Sequence, residues 1–371
     1  MKLPRGGWAL AVLALLAGCA ADPPRRDAPA MTTAEGRALV GSLLPKGVGD
    51  REGWATDIYA AMAVLQVQPR VENICAIVAV TEQETGFQVD PAIPNLSAIA
   101  WKEIERQRER AGIPRLVLYA ALKLSSSDGR SYEERIEAAK TELQLSDVFE
   151  DMIGRVPLAR SFLEDRNPVR TGGPMQVSVA FAKAHAAARP YPYPVGESLR
   201  HEVFTRRGGM YFGIAHLLDY PASYDGLVYR FADFNAGHYA SRNAAFQKAV
   251  AEVSGVPLAL DGDLVRFEKG KPAKEAGSTE LAARVLAKRI DMSDSSIRHD
   301  LEMGGQLEFE KTKLYARVFD LADRQGAKPA PRAVLPQIVL QSSKITRKLT
   351  TDWFAKRVAD RQRACIARAK T

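Results

Sequence analysis

Histidine and cysteine are both scarce, at five and three in 371 residues. The histidines are scattered, and the run from His201 to Thr205 lacks the second histidine that a zinc-binding helix needs one turn on. No Gly-x-Ser-x-Gly turn and no phosphate-cradling glycine loop occurs. Metal, nucleotide and serine-hydrolase chemistry therefore have no support, and neither a metal nor a cofactor is expected. Membrane-spanning stretches are missing too. The apolar run Trp8 to Ala17 is too short to cross a bilayer.

That run has the form of a secretory signal: Lys2 and Arg5 precede it, and Leu16-Ala17-Gly18-Cys19 closes it. The tetrapeptide resembles the bacterial lipobox. The resemblance implies that residues 1–18 are removed and that Cys19 becomes the lipidated first residue. Ala20 stands where an inner-membrane retention signal would show Asp, which implies a lipid-anchored protein of the outer membrane facing the periplasm. Residues 19–45, with Pro23, Pro24 and Pro29, then read as a lipidated N-terminus and tether. Once Cys19 is acylated only Cys75 and Cys365 remain. In an oxidising compartment they either pair or stay as two buried thiols, and sequence alone does not choose.

Net charge is +8, and it is uneven. Residues 344–371 hold nine Lys/Arg against Asp352 and Asp360, so the rest of the chain is close to neutral. A basic end either favours an anionic polymer or membrane surface, or is a solvated helix face. Nucleic acid is not an expected partner of an exported lipoprotein.

Apolar residues recur at helical spacing over 54–66, 72–84, 97–110, 115–124, 132–143, 146–153, 177–188, 198–205, 208–219, 225–234 and 240–253. Ser131 with Glu134 forms a capping-box pattern. Asp261-Gly262 between short apolar segments predicts a hairpin in 257–277, with a linker after it. Helical spacing resumes over 279–291, 306–325 and 333–368. The fold class is mainly α. The reading divides the chain into a helical body over 46–256 with an insertion at 97–168, a hairpin and linker over 257–277, and a basic helical C-terminal region over 278–371.

One helix ends oddly. Ile74, Cys75, Ile77, Val78 and Thr81 make a mostly buried segment that finishes with Glu82 and Glu84, and Gly86 suits the left-handed position just beyond. Residues two apart on a helix differ by about 200° in direction. Glu82 and Glu84 therefore face opposite ways. Partial burial and the negative end of the helix dipole would both favour a protonated Glu84. A carboxyl kept neutral near pH 7 is what protonation of a glycosidic oxygen requires.

The neighbouring residues carry a resemblance. Glu82 to Phe87, "EQETGF", resembles the Glu-Ser-Gly-Phe segment of soluble lytic transglycosylases and goose-type lysozymes, which implies that Glu84 is the catalytic acid. "GGPMQVS" (172–178) resembles their Gly-Leu-Met-Gln motif and implies that Met175 and Gln176 line the sugar cleft. "GGMYFGIAHLLDY" (208–220) looks like the helix before their last motif. "FADFNAGHYASRN" (231–243) resembles Ala-Tyr-Asn-Ala-Gly and implies site roles for Phe234 and Asn235. Thr85 and Gln176 would hydrogen-bond the acid or an acetamido group. Phe234 stands where the family has Tyr, leaving Tyr191, Tyr193 or Tyr239 to supply the missing hydroxyl. The 92 residues between Glu84 and Gln176 far exceed the family's spacing, which is why 97–168 reads as an insertion. Outside 70–90 and 170–250 the chain looks like a group of proteobacterial lipoproteins.

The resemblance implies a lysozyme-like helical domain, with peptidoglycan glycan strands as partner and a membrane reached through the lipid. The expected activity is single-glutamate lytic transglycosylase cleavage. Two alternatives remain open: a hydrolytic muramidase in which Asp90 or Asp233 activates water, and a wall-binding lipoprotein with an inactive cleft.

Overall fold

The computed structural model describes residues 31–155, 167–268, 270–340 and 349–369. These residues are mainly helical, with sixteen α-helices. Cys19 and residues 1–18 lie outside them, as do 156–166 of the insertion and 341–348. No helix among the described residues is long and apolar enough to cross a membrane.

The first three helices are α1 (Thr33–Leu43), α2 (Arg51–Val64) and α3 (Val71–Glu84). Every residue of α3 from Ile74 to Thr81 is buried, so it is wrapped on all sides rather than along one stripe. The inserted stretch forms α4 (Leu96–Ala111), α5 (Arg115–Leu122), α6 (Tyr132–Ala138) and α7 (Glu142–Arg155). The Ser131–Glu134 capping box is present at the start of α6. The helix expected over 132–143 stops at Ala138, because Ala139 turns extended and Thr141 bridges to Ala92.

Next come α8 (Val179–Ala188), α9 (Leu199–Phe204), α10 (Arg206–Leu218) and α11 (Leu227–Ala236). Just before α8, β1 (Thr171–Gly172) pairs antiparallel with β2 (Val177–Ser178), so residues 173–176 form the tip of a small hairpin.

A second core is built by α12 (Ala240–Ser254), α13 (Ser278–Val285), α14 (Asp294–Glu302) and α15 (Lys313–Gln325), with Phe246, Leu286, Phe309 and Val318 at its centre. Arg242, fully buried, helps hold this unit together. It donates to the carbonyls of Gly304 and Gln306 at 2.5 and 2.8 Å and lies between the rings of Tyr239 and Phe309. Those donors meet acceptors, which is what makes a buried guanidinium tolerable.

The last helix, α16 (Thr351–Arg368), returns to the first core, where it lies along α3 and α11. The two cores therefore do not follow the division of the chain at 278. The basic C-terminal segment, read as a solvated face or a contact for an anionic surface, has an apolar face of Phe354, Ala355, Val358 and Cys365 buried against the protein. Its sulfur is joined to Cys75 of α3 in a disulfide.

Two further expectations are corrected. Asp261-Gly262 is not a hairpin turn, because Gln247 takes its polar groups: the amide donates to Asp261 at 2.6 Å and accepts from Gly262 N at 2.8 Å. The pairing falls later, between β3 (Phe267–Glu268) and β4 (Lys271–Pro272). Residues 333–340 are not helical either. Pro336 supplies no amide proton, Gln337 donates to Leu260 O, and Val339 bridges to Thr350.

Candidate functional site

Glu84 is the last residue of α3 and is half-buried. The chain leaves the helix through Thr85, and Gly86 and Phe87 follow with φ of +60° and +66°. Gly86 accepts that conformation freely. Phe87 adopts it at a cost, offset by burial of its ring edge-on against Trp54 at 5.1 Å.

Thr85 is where two motifs meet. Its hydroxyl donates to the carbonyl of Pro174 at 2.9 Å, across 89 residues of sequence, and both side chain and partner are buried. The hairpin tip that receives it is a tight turn: Gln176 N donates to Gly173 O at 3.0 Å, with positive φ at both residues. Met175 is fully buried, while Gln176 is half-exposed beside it.

The glycines of α10 explain why the tip sits there. Successive helical residues differ by about 100°, so three adjoining strips of α10 face three neighbours. Gly209 and Gly213 leave room for Pro174 and Met175, which a Cβ at either position would strike. Met210, to one side, brings its sulfur to 3.9 Å from the Thr81 hydroxyl of α3. Gly208 and Phe212, on the other side, face Tyr191, whose ring stacks on Phe212 at 5.0 Å. The hairpin tip therefore lies between α3 and an aromatic wall.

The two tyrosines expected at the substrate have partners within the protein. Tyr191 gives its hydroxyl to Glu202 at 2.7 Å, and Tyr193 lies under Arg207 at 5.3 Å. Glu202 itself is buried and further held by Arg207. The Tyr191 hydroxyl is thus engaged by Glu202, and Tyr239 is buried under Arg242.

Asn235 is exposed at the end of α11 and accepts from Thr351 Oγ1 at 3.0 Å. Gly237 follows with φ +108°, turning the chain into α12. Phe234 points inward and is buried, its ring 5.1 Å from that of His216. Arg361 of α16 reaches α3, donating to Glu82 at 2.7 Å and to Gln83 at 3.0 Å. The structure so joins Thr85 to the Pro174–Gln176 tip and ties both Asn235 and Glu82 to α16.

Asp233 is structural. It is fully buried and accepts from Tyr220 at 3.0 Å, from Tyr224, and from Ser241 N at 2.7 Å. These bonds leave it no way to activate a water at the exposed rim. Asp90 accepts from Leu143 N at the start of α7, at 3.4 Å. A carboxyl that sequence reading passed over is Asp147 of α7. Burial raises its proton affinity, opposed by His201 and reinforced by Glu197 and Asp90. Nothing in the local sequence marks Asp147, because its partners lie on α9 and beyond α3.

Among the described residues no three His, Cys, Asp or Glu side chains gather to hold a metal ion. Two histidines instead join an aromatic column: His216 stacks on His238 at 4.5 Å, and His238 on Tyr220 at 4.0 Å. Burial, with a smaller contribution from His238, pushes His216 down to about 3. The unfolded chain then binds a proton that the folded chain refuses between about pH 6.5 and 3. This contribution to stability is complete above pH 6.5 and is lost as pH falls through that window, by at most about 1.4 kcal/mol per pH unit. His216→Gln should flatten this part of the pH profile of thermal unfolding. An unchanged slope would count against a neutral buried His216.

Fold and site together define a mainly helical protein in which a helix-terminal glutamate stands beside a glycine-cradled hairpin tip. The chain belongs to the family described as Protein of unknown function (DUF1615), whose model matches residues 47–368. It is similar to the Uncharacterized protein YaiW of Escherichia coli (strain K12), with 48% identity over 363 residues and 98% of each chain covered. No solved structure matches.

Proposed function

We propose that the protein is an outer-membrane lipoprotein that cleaves peptidoglycan glycan strands as a lytic transglycosylase, with a lysozyme-like helical domain as its catalytic body. The observation that carries the reading is the bond from Thr85 to Pro174, which sets the end of the Glu84 helix against the Pro174–Gln176 tip. In the first step the Glu84 carboxyl gives its proton to the oxygen linking N-acetylmuramic acid to N-acetylglucosamine, and the bond from that oxygen to the muramyl C1 breaks. Glu84, now a carboxylate, takes the proton of the muramyl 6-hydroxyl as its oxygen bonds to C1. The products are a free N-acetylglucosamine 4-hydroxyl and a 1,6-anhydro ring. One carboxyl serves both steps, which accords with the commitment of Asp233 to the core. Gln176 and Asn235, both reachable from solvent, would hold the sugars' amide and hydroxyl groups.

Mass spectrometry of the muropeptides released from purified sacculi by lipid-free protein tests this. Anhydro ends support the proposal. Reducing ends would make the enzyme a hydrolase, and binding without release would leave a wall-binding protein with an inactive cleft.

Attachment is tested separately. Cys19→Ala should move the protein from the high-salt-washed membrane fraction, freed of peripheral contacts, to the soluble fraction, because the lipid is the proposed anchor. Retention as an integral membrane protein would defeat that reading.

A further inference from the structure

α5 is apolar on both sides. Its inner side packs on α4, with Leu122 buried and Tyr119 stacked on Trp101 at 5.8 Å. Its outer side carries Leu116 and Val117, with Ala120 one turn on, and Leu124 follows the helix end. Leu116 is 81% exposed, Val117 58% and Leu124 51%. A helix that is apolar all round is normally enclosed, and clustered exposed aliphatics mark a surface that something covers.

Charge identifies what covers it. Residues 102–123 hold six Lys/Arg against three Glu. Arg110, Arg115 and Lys123 bracket α5 along the chain and are exposed; Arg115 lies 3.6 Å from Glu105 yet keeps 68% of its side chain open. We infer that α5 docks on an anionic lipid surface, its stripe entering the acyl boundary while Arg110, Arg115 and Lys123 meet headgroup phosphates. A short aliphatic stripe edged by long cationic side chains is the pattern of an interfacial helix, whereas the buried centres of protein interfaces favour aromatic residues. Eleven residues lie between Cys19 and Met31, and the twelve steps they make span about 40 Å when fully extended. That length would let a chain anchored at Cys19 lay α5 on the same bilayer. Only this last point rests on the Cys19 reading.

The test uses the mature chain from Ala20 onward without its lipid, so that neither an acyl chain nor the apolar run Trp8 to Ala17 contributes. It should co-sediment with vesicles of phosphatidylglycerol and phosphatidylethanolamine (1:3), and far less with phosphatidylcholine alone. Leu116→Ser with Val117→Ser should lower the partition coefficient by about tenfold or more, and raised salt should weaken binding. These outcomes stand apart from glycan cleavage, which reads the Glu84 proposal. Equal sedimentation of the double variant, or none by the parent, would overturn the inference. So would self-association in ultracentrifugation that the same substitutions abolish, since a second copy would then cover the stripe. Should the double variant misfold, Leu116→Trp reads the same point: its emission should shift to the blue on phosphatidylglycerol vesicles, and an unshifted spectrum from folded protein would refute docking.

Discussion

Glu84→Gln is expected to abolish release of muropeptides while leaving the fold intact. The amide matches the carboxyl in size, so the end of α3 should keep its shape and Thr85 its bond to Pro174. What disappears is a proton that can be given and taken back. General acid–base catalysis typically contributes about 10²–10⁴-fold, so the loss should approach the limit of detection. Glu82→Gln is the matched control. Its carboxylate pairs with Arg361 at 2.7 Å on the other side of the helix, with 31% of the side chain exposed. Partly exposed pairs contribute about 0–1 kcal/mol, and cleavage should survive. Equal losses in both variants would point to damaged structure, and a fully active Glu84→Gln would end the transglycosylase reading.

The second large effect concerns stability. Cys75 and Cys365 close a loop with a sequence separation of 290 residues. In the chain-entropy account, a loop of this length restricts the unfolded state by roughly 6 kcal/mol, and measured effects usually fall nearer 2–4. Cys75→Ala with Cys365→Ala should therefore lower the melting temperature by several degrees or more. Alanine is the better replacement, since both sulfurs are fully buried and a serine hydroxyl would need a partner there. Thiol labelling of denatured, unreduced protein should find neither cysteine reactive. Two free thiols per chain would refute the bond.

Local chemistry was legible in the sequence; long-range substitution of partners was not. The Ser131–Glu134 box and the left-handed Gly86 need only their neighbours, and both lie where the sequence placed them. The opposed directions of Glu82 and Glu84 follow from helix geometry, and Arg361 does occupy Glu82. The turn at Asp261-Gly262 failed because Gln247, on a different element, competes for its polar groups. The bond from Tyr191 was hidden for the same reason: no pattern marks its partner Glu202. The role of α16 was hidden by its many charges, because its buried face is made of small residues spaced among Lys and Arg. At the site, motif order pointed to Glu84, Thr85, Met175 and Gln176, but nothing in the motifs announced that a threonine hydroxyl would bind Pro174.

The packing of α16 along α3 also fixes an order of events during synthesis. A chain made from its N-terminus completes α3 early, yet the surface and the sulfur that enclose it arrive only with the final helix. Until Thr351–Arg368 emerges, the apolar residues of α3 and the thiol of Cys75 stand open to whatever else is nearby. A nascent chain must therefore be shielded until that helix is made, and a product cut short before Thr351 would carry an uncovered centre and a reactive cysteine, fit for degradation rather than use.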